Sequence, residues 1–280
     1  MDPLFCRDVG VGQPIVVLHG GPEFDHTYLL PELDRLAESF RLVYYDQRGR
    51  GRSVSGVRPD QVDLRSEIDD VDRVRTRFGL KSVALLGHSW GGVLAMEYAI
   101  RHPDRVSQLI LLDTAPASAG GWQVMRDELG RRRPAADIEE MRAIAATDAY
   151  GCGDLDAADA YNRIHFRITV RPDLLDALVV RLRSNYTADG VLLARAIEQR
   201  LSDETFRSAD WDLVPALQGL DVPTLLLHGE HDFIPVELAA RIADAVPGAR
   251  LEVLPGCGHF TYLEAPERVC EEVARFCAAG

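Results

Sequence analysis

Residues 83–96 read Val-Ala-Leu-Leu-Gly-His-Ser-Trp-Gly-Gly-Val-Leu-Ala-Met. An apolar run suited to a buried strand passes within five residues into a stretch suited to a helix, with Ser89 at the centre of a glycine-x-serine-x-glycine turn. A serine held there adopts strained dihedrals, and neighbours without a Cβ at positions 87 and 91 relieve the crowding. The turn lifts the Ser89 hydroxyl above a sheet and aims a helix N-terminus at it, where free N–H groups and the helix dipole favour negative charge.

The rest of the chain agrees with that local geometry. Short β-rich runs at 15–18, 42–45, 83–86, 109–112, 224–227 and 251–254 alternate with segments of helical period at 26–38, 60–78, 89–101, 236–245 and 266–277. This rhythm predicts an α/β fold, a doubly wound and mostly parallel sheet with helices on both faces. It breaks once. From about 115 to 215 there is no convincing strand, only amphipathic segments rich in Asp, Glu, Arg and Ala, so residues 1–114 and 216–280 are expected to form the core and 115–215 an inserted helical cap. The stretch APASAGG at 115–121 is the expected hinge.

A serine of ordinary acidity needs a base, and the base needs an acid to fix its tautomer. After the run at 224–227 comes His-Gly-Glu-His-Asp, ending at Asp232, and after 251–254 comes Pro-Gly-Cys-Gly-His, ending at His259. Both candidates fall in loops at carboxyl strand ends, on the same sheet edge as Ser89. Asp113, also at a strand end, is the rival acid. His231 reads as a loop neighbour of Asp232, His88 and His228 as packing or hydrogen-bonding residues, and Cys257 as a small buried thiol.

Acyl transfer through Ser89 develops an oxyanion that needs two N–H donors. One is expected from Trp90. The other is expected from the loop His-Gly-Gly-Pro-Glu at 19–23, where Gly21 is the favoured donor and Gly20 the alternative. The two glycines let backbone approach a substrate, and Pro22, without an N–H, stiffens the loop beyond them.

Composition removes other classes of function. Lys and Arg number 31 against 44 Asp and Glu, a formal charge of −13, which argues against nucleic acid and anionic membranes as partners and leaves a small molecule or short peptide. Five cysteines at irregular spacing suit neither a disulfide framework nor a zinc site, and a reducing cytoplasm is the expected compartment. No phosphate cradle or metal-ligand spacing is present, so no cofactor and no metal are expected.

The set HGGP, YYDQRGRGRS (44–53), GHSWGG (87–92), GEHDFIP and GCGHF resembles the α/β-hydrolase superfamily, and its order is similar to that of the proline iminopeptidases. The resemblance implies a serine hydrolase with Ser89, His259 and Asp232 as triad, and a bracing role for Asp46 and Arg48. It also shows departures. Glu23 stands where that branch usually has a further glycine, and the segment before Pro14 has room for about one antiparallel strand. In the cap, Glu128, Glu139, Glu140, Asp148, Glu198 and Glu204 are available to hold a substrate amine, and Tyr150, Tyr161, Phe166, Tyr186 and Trp211 to line a pocket. A carboxylesterase or lactonase with the same triad is the alternative, and a non-catalytic small-ligand receptor on the same fold a third reading, which an intact triad disfavours.

Overall fold

Seven strands, in a computed structural model that describes residues 4–279, form one sheet in the order β1-β3-β2-β4-β5-β6-β7. They are β1 (Cys6–Val9), β2 (Gln13–Leu18), β3 (Phe40–Tyr45), β4 (Val83–His88), β5 (Val106–Leu112), β6 (Thr224–Gly229) and β7 (Arg250–Leu254). Strand β1 runs antiparallel to β3, and the other neighbours are parallel. All six predicted strands lie inside observed ones, and β1 takes the room foreseen before Pro14.

The central strands read as unbroken apolar runs because both of their faces are buried. In β2, Val16 and Leu18 pack with Ile68, Val71, Val93 and Met96, while Ile15 and Val17 pack on the opposite side with Leu33, Leu36, Val269 and Val273. Helices α1 (Leu64–Arg77) and α2 (Trp90–Arg101) supply the first side. Between β5 and β6 the chain forms α3 (Ala119–Arg132), α4 (Ala135–Ala145), α5 (Asp148–Gly151), α6 (Leu155–Phe166), α7 (Leu175–Arg183) and α8 (Ala188–Glu204). On its return, α9 (Val214–Leu217) and α10 (Val236–Ala245) complete the first side, and α11 (Thr261–Glu264) and α12 (Pro266–Ala279) cover the second.

Two expected helices take a different form. Residues 26–38 are two 3-10 turns, His26–Leu29 and Glu32–Glu38, because Pro31 disfavours helical backbone at Leu30 and lacks an N–H to continue the ladder. The helix expected from 60 starts at Leu64. Asp63 caps it by accepting the Ser66 N–H at 2.7 Å, and Pro59–Gln61 forms a separate 3-10 turn.

The stretch expected to be a hinge is tied down. Ala115, Ala117 and Ser118 are buried, Leu213 N–H donates to Ala117 O at 2.8 Å, and Ser118 makes an antiparallel bridge to Asp212. Small side chains at this point serve close packing of the outgoing and returning chain.

After β2 the chain crosses to β3 on one side and returns to β4 on the other, with Leu18 level with Gly87. The ends of β2 and β4 therefore open a crevice at the point where the strand order reverses, the place where α/β sheets bind ligands.

Candidate active site

Ser89 sits in that crevice with φ 54° and ψ −116°. The strain is held by three backbone hydrogen bonds: Ser89 N–H donates to Leu112 O at 3.0 Å, and Ser89 O accepts from Gly92 N–H at 2.9 Å and Ala115 N–H at 3.1 Å. A Cβ on Gly87 would lie 2.2 Å from Gly91 O, so glycine there is a steric requirement of the turn, and a Cβ on Gly91 would lie 2.1 Å from Leu18 O at the end of β2.

Strands β6 and β7 end beside it and deliver Asp232 and His259. Ser89 Oγ lies 3.1 Å from His259 Nε2, and His259 Nδ1 lies 2.9 Å and 3.1 Å from the two carboxylate oxygens of Asp232. With Nδ1–H donating to the carboxylate, Nε2 is left unprotonated and faces the serine hydroxyl. Burial works to raise the Asp232 pKa, but the charge and hydrogen bonds of His259 outweigh it and hold the carboxyl below its ordinary range. Asp232 Oδ1 also accepts the Ile234 N–H at 2.9 Å. The neighbouring backbone is anchored from the inserted helices: Arg132 at the end of α3 donates to His231 O and Asp232 O at 2.9 and 2.8 Å, and His259 N–H donates to Thr169 O at 2.9 Å.

Asp113, the rival acid, is not in this line. Its carboxylate accepts Gly229 N–H at 3.1 Å, Thr261 N–H at 3.0 Å and Thr261 Oγ1–H at 2.7 Å. Complete burial, reinforced by the charge of Asp232, pushes its pKa well up. It joins the loops that carry the two other groups.

The HGGP loop lies against the elbow, as a Cβ on Gly20 would be 3.0 Å from Ser89 Cβ. Of its two glycine amides, that of Gly20 donates to Tyr28 Oη at 2.7 Å and is engaged. Gly21, at φ 124°, is left as the candidate donor, and a Cβ there would meet Glu23 N at 2.2 Å. The Trp90 amide opens α2 and by position has no intrahelical acceptor.

The remaining candidates resolve as supports. His228 Nε2 donates to Ile234 O at 2.8 Å, and the His231 side chain is 68% exposed, away from Ser89. The Cys257 thiol is buried and pushed up to about 11. Asp46 accepts from His26 Nδ1 at 2.5 Å and Arg52 N–H at 2.9 Å, and Arg48 pairs with Asp70 on α1. Gln47 braces the HGGP loop directly, donating from Nε2 to His19 O at 2.7 Å and from its amide to His19 Nε2 at 3.0 Å.

Beyond Gly21 the loop turns into a cleft of about 450 Å³, open mouth included, lined by Glu23, Phe24, Tyr150, Leu182, Tyr186 and Arg195 among others. Burial, with the nearby charge of Glu198 second, pushes Glu23 up to about 8, and Glu198 is likewise raised. In the sequence Glu23 stands out only as a departure from glycine. Its position two residues past a candidate oxyanion donor is the signal that points to the cleft. Of the other carboxylates considered, Glu128 is held by Arg131 and Arg132, Glu140 by Arg167, Glu204 accepts the Leu64 N–H, and Glu139 and Asp148 are exposed. Among the aromatics, Phe166 and Trp211 belong to packed clusters, and Tyr161 lies tilted against Tyr150 with ring centroids 5.1 Å apart.

Among the described residues, two buried groups bring metal-ligand atoms within 4.8 Å of one another, Asp25 with His26 and Asp46, and Asp113 with His228 and Asp232. In the first, His26 Nδ1 is spent on Asp46, and in the second, His228 Nε2 is spent on a carbonyl. In each, a cation would have to compete with that existing hydrogen bond, although Asp25 Oδ2 and His228 Nδ1 have no partner.

Sheet order, the switch point and the elbow within it are those of an α/β hydrolase. The alpha/beta hydrolase fold family matches residues 13–266, and the chain belongs to it. It is 30% identical over 269 residues to a proline iminopeptidase of Clostridium botulinum, covering 94% of this chain and 88% of that one. The crystal structure of a proline iminopeptidase from Mycobacterium smegmatis aligns with a TM-score of 0.71 at 25% identity, over 98% of this chain and 93% of that one. A thermophilic esterase from Thermogutta terrifontis aligns with a TM-score of 0.68 at 26% identity, over 99% and 93%. The chain is thus a hydrolase with peptidase and esterase relatives. Among the described residues, no helix is long and apolar enough to cross a membrane.

Proposed function

We propose that the protein is a serine hydrolase of the proline iminopeptidase kind, releasing N-terminal proline from a short peptide or amide through an acyl-enzyme on Ser89. The observation that carries the chemistry is the continuous line from Asp232 through His259 to Ser89 Oγ, with steps of 2.9 and 3.1 Å. As Oγ attacks the substrate carbonyl, His259 Nε2 takes its proton, and Asp232 stabilises the imidazolium that forms. The carbonyl oxygen gains a negative charge within reach of the Trp90 and Gly21 amides. His259 then passes the proton to the leaving nitrogen, the C–N bond breaks, and the prolyl group remains as an ester on Ser89. Water, deprotonated by the same nitrogen, releases the acid and restores the serine. The reaction needs no cofactor.

In this reading residues 115–215 are the cap, over a core of 1–114 and 216–280, and the cleft beneath it takes the substrate's first residue. Burial raises the pKa of both Glu23 and Glu198, and a substrate ammonium bound near them makes a charge-assisted contact in a partly dry site. Phe24, Leu182 and Tyr186 offer an apolar wall for the ring.

A carboxylesterase or lactonase is the second reading, favoured by the esterase likeness and by that same apolar wall. The test is a parallel assay of proline β-naphthylamide, its N-acetyl form and p-nitrophenyl esters of graded length, with Ser89→Ala as control. Cleavage of the free amine at least about 100-fold better than of the blocked one supports the peptidase. A ratio near one with strong ester turnover supports the esterase, and full activity in Ser89→Ala removes both.

A further inference from the structure

Three loops converge on Ser89, and one chain of buried hydrogen bonds crosses all of them. Gly20 N–H donates to Tyr28 Oη at 2.7 Å. Tyr28 Oη lies 2.7 Å from His88 Nδ1, and His88 Nε2 lies 3.0 Å from His259 O. Tyr28 and His88 are each 1% exposed.

The direction of every link is forced. His259 O is a carbonyl and only accepts, so His88 carries its proton on Nε2; in the neutral ring Nδ1 is then an acceptor, and Tyr28 Oη, which accepts from Gly20 N–H, gives its own proton to it. The arrangement requires a neutral His88. Burial, helped by the charge of His259, holds its pKa down to about 3, and the ring is closed in by Phe260 at 5.6 Å and Tyr262 at 5.4 Å. Tyr262 Oη in turn donates to Tyr28 O at 3.0 Å. The charged or titratable groups facing His88 are His259 and Asp113, the latter at 4.0 Å from Nε2, with Asp232 and His19 further off.

We infer that Tyr28 and His88 act together as positioning residues, a strut that holds the oxyanion loop and the backbone of His259 at a fixed separation across the nucleophile. The inference rests on the serine-hydrolase reading above. Tyr28 withdraws the Gly20 amide from any contact with substrate and leaves Gly21 as the loop's donor. His88 carries that constraint through the elbow to the residue that bears the base. A loose strut lets two preorganised parts drift relative to each other, and such a loss falls on the transition state rather than on substrate binding.

The experiment uses the full chain. Imidazole 15N spectra of the unaltered protein are expected to show His88 neutral with its proton on Nε2 from about pH 5 to 9. A proton on Nδ1, or titration within that range, overturns the strut whatever the enzyme's activity. Tyr28→Phe, checked by cooperative thermal unfolding, is expected to lower kcat on p-nitrophenyl acetate by about 10- to 100-fold with KM changed by less than about 3-fold. Affinity for a boronic acid, which forms a tetrahedral adduct on serine, is expected to fall in parallel with kcat. His88→Gln, which keeps one acceptor and one donor, is expected to lose less than Tyr28→Phe, and the double variant no more than about the worse single one. A folded Tyr28→Phe enzyme with kcat within about twofold of the original, a loss confined to KM, or multiplying losses in the double variant overturns the proposal. Should Tyr28→Phe fail to fold, His88→Gln and the imidazole spectra decide alone. Ester turnover surviving in Ser89→Ala instead sinks the underlying reading, and the spectra still report on the strut.

Discussion

Asp113 and Asp232 sit side by side against His228 and hold different things. Asp232 takes the His259 ring nitrogen at 2.9 Å, while Asp113 takes the Thr261 hydroxyl at 2.7 Å and the backbone on either side. Asp232→Asn is expected to lower kcat by about 10³-fold or more, since an asparagine there favours the wrong tautomer of His259. Asp113→Asn is expected to cost about tenfold or less and to lower Tm, because it loosens a buried clamp. Steady-state kinetics and melting curves of the two variants check this, and the reverse ranking would move the acid to Asp113.

The cleft separates amine recognition from chemistry. Glu198→Gln is expected to raise KM for proline β-naphthylamide about tenfold, the loss of one charge-assisted contact. Turnover of neutral p-nitrophenyl esters is expected to stay within about threefold, as Ser89 and His259 are untouched. An equal fall on both substrates would place Glu198 outside the amine site.

Glu23 links the same cleft to stability. Its folded pKa of about 8 stands above the ordinary value of 4.5, so between those values the folded state binds more protons than the unfolded one, and stability falls as pH rises through the window. Glu23→Gln removes that ionisation. The variant is expected to match the original protein near pH 4.5 and to melt at a higher temperature by pH 8.5, with the difference opening in between. A constant difference across the range would mean that Glu23 is solvated.

Under the DQRGRG segment, Arg50 and Glu67 form an ion pair at 2.5 Å with 0% and 1% of the side chains exposed. Removing one partner leaves an uncompensated buried charge, so Glu67→Ala is expected to destabilise by about 3 kcal/mol or more. Chemical denaturation reads this directly, and a change below about 1 kcal/mol would show that water reaches Arg50.

The strands were legible because burial on both faces leaves runs such as Ile15–Val16–Val17 and Leu225–Leu226–Leu227 no room for polar alternation. The elbow was legible in part because Gly87 must lack a Cβ within the turn itself, against Gly91 O, whereas Gly91 must lack one because the end of β2 at Leu18 and His19 comes close to it. Strand-end positions likewise placed Asp232 and His259 on the edge that holds Ser89. Helix form at 26–38 was less so, since the apolar period survives while Pro31 breaks the hydrogen-bond ladder.

What the tertiary structure alone decided are choices among groups equivalent in sequence. Asp113 and Asp232 both follow strands, and only the packing of β5, β6 and β7 sets which one meets the imidazole and which one meets Thr261. Gly20 and Gly21 are adjacent, and the hydroxyl of Tyr28 takes one amide and leaves the other. Glu23 and Glu198 come near each other because a strand-end loop and helix α8 meet across the cleft, a contact that no local period encodes. Local sterics and burial patterns are written along the chain within a few residues. Hydrogen-bond partners and electrostatic neighbours depend on where distant segments arrive, and folding of the whole chain fixes that.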